Sequence, residues 1–163
     1  MKTWYSCKVK YNKEQENGML KQITEAYMLD ALTYTEAETR IYEAMERDVH
    51  GEFTVTQITK TNISELVINE DKPADYWWKV KVVYTTVDGD SEKEVNINNY
   101  FMVSADNIGD CIENTNEFLK SMLVPYSIPS VTLTKIVEVY PYDPNAIPAN
   151  LKPLSEVEAE QEG

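Results

Sequence analysis

A chain of 163 residues with 42% apolar and 26% charged residues is long enough to bury one core and is ordinary in make-up. Its formal charge of −13 repels nucleic acid and anionic membranes at long range, which argues against a general DNA-coating role unless the charge is unevenly placed. No apolar run approaches the roughly 18 residues of a bilayer span, and the opening Met1-Lys2-Thr3-Trp4-Tyr5 has no apolar signal core. The expected setting is therefore cytoplasmic, with no membrane partner.

In Thr3–Tyr11, Tyr5, Cys7, Val9 and Tyr11 alternate with Trp4, Ser6, Lys8 and Lys10, the period-two pattern of a half-buried strand. A polar turn follows, and Leu20–Leu32 reads as a second strand, although Ile23, Tyr27 and Leu29 also fit a helix. Thr35-Glu36-Ala37-Glu38 matches a capping box, with Ala37, Ile41, Ala44 and Met45 at helical spacing behind it and Gly51 beyond the helix end. Phe53–Lys60, rich in β-branched residues, is a strand.

The same order then recurs. Trp78, Val80, Val82 and Tyr84 alternate with Trp77, Lys79, Lys81 and Val83, and Asp88-Gly89 signals a tight hairpin into Val95–Val103. Ser104 stands where it can cap a helix with an apolar stripe of Ile108, Cys111, Ile112, Thr115, Phe118, Leu119 and Met122, and Val131–Tyr140 is the last strand. Trp4 aligns with Trp77, Tyr11 with Tyr84, Tyr27 with Tyr100, and Thr54–Ile58 with Thr132–Ile136. The pattern predicts one α+β domain over 1–142, built from a duplicated β-β-α-β unit (repeat one 3–60, linker 61–75, repeat two 76–140). Burying two helical stripes on one sheet predicts a single, mostly antiparallel sheet of about six strands with both helices on one face, ferredoxin-like in spirit.

Residues 143–163 differ in chemistry: five acids, one lysine and Pro144, Pro148 and Pro153 predict an extended or disordered acidic tail. Cys7 and Cys111 sit in apolar patterns and read as small reduced core residues.

Signatures of chemistry are missing. The lone His50 sits at a helix end, where a cation complements the dipole. Asp88-Gly89-Asp90-Ser91-Glu92 opens like a calcium loop but has Lys93 and Asn99 where the motif needs Gly and Glu. Glu36, Glu38, Glu43 and Glu46 read as a solvated helix face. The expectation is a non-enzyme with no cofactor and no metal.

One face asks for a partner. If Tyr5, Cys7 and Val9 meet a helix, the helix-free side carries Trp4, Lys8 and Lys10, then Trp77, Lys79 and Lys81 in the repeat, with Thr54, Thr56, Thr132 and Thr134 from the third strands. Exposed tryptophan in an acidic chain implies a cover or a ligand. A second copy or the tail is one cover, and another protein is a second. Single-stranded nucleic acid is a third, with Trp stacking on bases, Lys on phosphates and the acidic tail competing. An enzyme using carboxylates at a helix–sheet edge is the remaining reading.

The opening Met1-Lys2-Thr3-Trp4-Tyr5-Ser6-Cys7-Lys8-Val9-Lys10-Tyr11, the helix start at Tyr34–Glu38 and the strand Phe53–Ile58 together resemble an uncharacterised protein family of gut Bacteroidetes and their phages. The likeness covers the chain to about Tyr142 and implies a bacterial or phage cytoplasmic setting. It carries no activity and no functional residues.

Overall fold

A computed structural model describes residues 2–142; the acidic tail expected at 143–163 lies outside the described residues. In chain order the elements are β1 (Thr3–Glu14), β2 (Leu20–Ala31), α1 (Tyr34–Asp48), β3 (Phe53–Lys60), β4 (Ile63–Val67), β5 (Trp77–Val87), β6 (Glu94–Ser104), α2 (Ile108–Phe118), β7 (Tyr126–Leu133) and β8 (Ile136–Tyr140). The segment from Leu20 is a strand, antiparallel to β1 from Thr3↔Ala31 to Glu14↔Leu20.

Among the described residues, eight strands form two four-stranded sheets, ordered β3-β1-β2-β8 and β4-β6-β5-β7. The single six-stranded sheet expected from the repeat is thus corrected, and so is the placing of both helices on one side. Helix α1 packs its buried Ala37, Ile41, Ala44 and Met45 on Tyr5, Cys7, Val9, Tyr27 and Leu29 of the first sheet. Helix α2 packs Cys111 and the Leu119 beyond its end on Val80, Val82, Phe101 and Val103 of the second. A third cluster of Met28, Ile63, Trp77, Met102 and Val139 joins the two sheets face to face, so the layers run helix, sheet, sheet, helix.

Two corners produce this arrangement. After β3, the chain turns at Thr61 and enters the other sheet as β4, parallel to β6; after β7 it turns at Thr134 and returns as β8, parallel to β2. Strands that switch sheets at bends are a known way to close a sandwich. Both bends use the same bonds. The Thr61 N–H and hydroxyl donate to the Trp4 carbonyl (2.8 and 2.8 Å), and its oxygen accepts the Ile63 N–H (3.2 Å). Thr134 does the same with the Trp77 carbonyl (2.9 and 2.8 Å) and the Ile136 N–H (3.2 Å). The stretch 61–75 is therefore not a plain linker, since it holds β4, and Val131–Tyr140 is broken into the end of β7 and all of β8.

Pairing registers refine the alignment of the halves. Trp4 and Trp77, Thr61 and Thr134, and Ile63 and Ile136 occupy matching places 73 positions apart. Asp30 matches Ser104 and Met28 matches Met102 at 74, because the second hairpin is one residue longer. Tyr27 therefore corresponds to Phe101 rather than Tyr100. Gln57, opposite Lys8, corresponds to Ser130, opposite Lys81, so the alignment of Thr54 with Thr132 is off by five residues.

Helix starts shift too. Thr33 caps α1 by accepting the Glu36 N–H, while the Glu36 carboxylate accepts the Leu32 N–H. The box sits two residues before the expected one. Asn107, rather than Ser104, caps α2 by accepting the Asp110 N–H. Ile108, Ile112 and Phe118 of the expected stripe are exposed, and the 11-residue helix buries Cys111, Asn114 and Thr115 instead. The Asp88-Gly89 turn is a loop closed between Val87 and Glu94, with Glu92 in the left-handed region (φ 54°) and the Asp88 carboxylate accepting from Asp90 and Ser91.

Candidate binding surface on the facing sheets

Alternation along β1 and β5 sends Tyr5, Cys7, Val9, Val80 and Val82 toward the helices and Trp4, Ser6, Lys8, Lys10, Trp77, Lys79 and Lys81 toward the other sheet. The helix-free faces inferred from sequence are real, but they look at each other. The sheet-on-sheet packing expected between two copies occurs here within one chain. Trp77 is 8% exposed against Met28, Ile63, Met102 and Val139, and Trp4 is half-buried beside the same cluster. Trp77 therefore offers no open stacking face.

The lysines lie nearer the hairpin ends. Lys8 and Lys10 are exposed, and Lys79 and Lys81 are half-buried. Across the ladders, Lys8 faces Ala26 and Gln57, and Lys10 faces Thr24 and Thr54. Lys79 faces Met102 and Thr132, and Lys81 faces Tyr100 and Ser130. No acid is among these neighbours. Among the described residues none of the four lysines has a carboxylate within 4.0 Å; the ion pairs engage Lys2, Lys13, Arg40, Arg47, Lys72 and Lys120 instead. The Lys79 ammonium sits 4.8 Å from the centre of the Tyr100 ring, a cation–π contact.

The threonines divide into two kinds. Thr54 and Thr132 are exposed in the ladder beside Lys10 and Lys79. Thr56 sits at the β1–β3 bulge, where its hydroxyl donates to the Lys8 carbonyl (3.3 Å), and Thr134 is consumed by its corner. Between the sheets a cleft of about 190 Å³ opens, bordered by Ser6, Met28, Thr61, Lys79, Met102 and Thr134. It brings residues of both halves together. Sequence reasoning missed it because β4 and β8 were not seen to exchange sheets.

The Asp48 carboxyl is held below its ordinary value by the Arg47 guanidinium and then by the Tyr140 hydroxyl. Burial pushes the Cys7 thiol up to about 12 and the Cys111 thiol to about 11. Both thiols ionise at lower pH in the unfolded chain, near 8.5. Stability held by these neutral thiols is thus complete below that value and declines as pH climbs toward the folded pKa values. Burial raises Tyr27 and Tyr140 in the same sense. At pH 8 the native protein is expected to resist a disulfide thiol reagent that labels both cysteines at once in urea, and the urea midpoint is expected to fall between pH 8 and pH 10. Fast labelling of Cys7 in the native chain would mean that β1 opens, and of Cys111 that α2 does.

Among the described residues, no group of three or more metal-ligating side chains is gathered, and no helix is long and apolar enough to cross a membrane. The fold defines a two-sheet α+β protein whose halves exchange their last strands, with a cation-bearing cleft between the sheets. The chain belongs to the family described as Domain of unknown function (DUF4494), whose profile matches residues 3–142. No curated protein and no solved structure matches it.

Proposed function

We propose that this chain is a non-enzymatic binding and assembly protein that takes an anionic partner on the lysine-bearing ends of its facing sheets. One observation carries the reading: Lys8, Lys10, Lys79 and Lys81 lie on the inner faces with only amide, hydroxyl or apolar neighbours in register, in a chain of net charge −13. Cations kept clear of acids make a local positive field that steers an anionic patch into place. The favoured partner is an acidic segment of another protein or of a second copy. Single-stranded nucleic acid is the second reading, with phosphates on the same lysines; stacking would fall to the half-buried Trp4 and Tyr100, since Trp77 is occupied in the core. Residues 143–163 would compete for the lysines in either reading. A cytoplasmic setting in Bacteroidetes or their phages belongs to this proposal. So does an origin by duplication, which the matching corners at Thr61 and Thr134 support.

Fluorescence anisotropy tests it, with a labelled acidic peptide and a labelled single-stranded oligonucleotide at low and high salt. Lys8→Glu with Lys10→Glu is expected to weaken binding of the true ligand class by roughly tenfold or more and to flatten its salt dependence. Equal binding by the variant and the unaltered chain would sink the lysine site. Tight binding of the oligonucleotide alone would select the second reading.

A further inference from the structure

Strand β3 ends its sheet, so among the described residues one of its edges has no strand beside it. Its sequence, Phe53-Thr-Val-Thr-Gln-Ile-Thr-Lys60, has no proline and no charge before Lys60. Free edges of this kind recruit strands unless they are blocked. The matching edge strand β7 carries Pro129 at its bulge, which removes a backbone donor, whereas β3 has Thr56 there and keeps all its N–H groups.

Helix α1 lies beside this edge. Residues Tyr34, Glu38, Tyr42 and Glu46 follow one another at four-residue spacing and so form one row on the helix. The first three line a groove of about 80 Å³ against Thr56, Gln57 and Ile58. Tyr34 is 52% and Tyr42 42% exposed, and Tyr42 is braced by Phe53 at 5.7 Å. Among the described residues, neither Glu38 nor Glu46 has a cation within 4.0 Å. In the other half the matching places are Ile108, Ile112 and Asn116 on α2 and Lys120 just beyond its end, none of them aromatic or acidic.

From the open edge and the aromatic, acidic row beside it, we propose that β3 and α1 form a strand-addition site for an extended basic segment of another protein. The backbone of the added strand pairs with β3, and its lysine or arginine side chains reach Glu38 and Glu46 across the faces of Tyr34 and Tyr42. Charge selects this occupant over a second copy. Pairing β3 with itself about a twofold axis would set the two glutamate rows toward each other on two chains of −13 each.

The test uses the full chain and a synthetic peptide that alternates lysine with valine. Two controls accompany it, the same peptide with a central proline and one with glutamate for lysine. Amide hydrogen exchange of β3 and anisotropy are read together. The lysine peptide is expected to bind and to slow exchange along β3, the glutamate peptide not to bind, and the proline peptide to bind roughly tenfold more weakly or worse. Glu38→Lys with Glu46→Lys, both on the solvent side of α1, is expected to lose the lysine peptide while leaving the urea midpoint in place. No binding of the lysine peptide, or equal binding of its proline version, would overturn the site. Dimerisation of the chain that itself slows exchange along β3 would overturn the foreign occupant in favour of a second copy.

Discussion

Trp77→Ala is expected to destabilise the protein by about 3–5 kcal/mol, the usual cost of emptying a large aromatic site in a core. Trp77 is the largest side chain in the cluster that joins the sheets, and both halves contribute to its surroundings: Met28 from β2, Ile63 from β4, Met102 from β6 and Val139 from β8. Its carbonyl also receives the Thr134 corner, but that bond involves backbone and survives the substitution. The loss is thus one of packing alone. Trp4→Ala, at the half-buried matching place, is expected to cost less, about 1–2 kcal/mol by the area it removes from contact. Urea unfolding of both variants checks the order. Equal costs would mean that the two tryptophans are equally engaged and that the sheets close more symmetrically than described.

Arg40→Ala carries the second large effect. Asp30, 6% exposed at the end of β2, has its carboxylate held by Arg40 Nη1 at 3.1 Å, by the Tyr142 N–H at 2.6 Å and by Lys2 at 3.8 Å. The same guanidinium donates to the Asp30 carbonyl and to the Tyr140 carbonyl. One side chain thereby ties α1 to its own hairpin and to β8, the strand that arrives from the other half. Its removal leaves the buried Asp30 carboxylate with one cation, Lys2 at 3.8 Å, and takes a donor from the Asp30 and Tyr140 carbonyls, and is expected to cost about 3–5 kcal/mol in urea unfolding. Asn114, at the matching place on α2, bonds the Ser104 carbonyl and Asn69, so Asn114→Ala breaks neutral bonds only and is expected to cost about 1–3 kcal/mol. Adding Asp30→Leu to Arg40→Met should recover most of the loss, since a buried ion pair replaced by apolar groups is often close to neutral. A double variant as unstable as Arg40→Ala would show that the carbonyl bonds, rather than the charge pair, hold β8.

Much of this molecule was legible in local pattern. The alternation of Tyr5, Cys7 and Val9 against Trp4, Lys8 and Lys10 told which side of β1 meets α1, and the structure places each residue on the expected side. The hairpin, helix and following strand read in each half are observed, each with one further short strand, β4 or β8, that the expected β-β-α-β order lacks. The acidic, aromatic row on α1 was less legible. Its glutamates read as an ordinary solvated face, and only the closeness of β3 gives Tyr34 and Tyr42 a meaning.

Sequence by itself determined the two long hairpins, the two helices, the face β1 and β5 turn to their helices and the buried, unbridged state of Cys7 and Cys111, because these depend on periodicity and burial within a few residues. Tertiary structure decided where β4 and β8 belong. A five-residue strand buries too little to choose a sheet on its own. Its place is settled by a threonine corner and by what waits across the bend. That choice divided one expected sheet into two, turned an exposed tryptophan face into a core, and left the lysines at its rim.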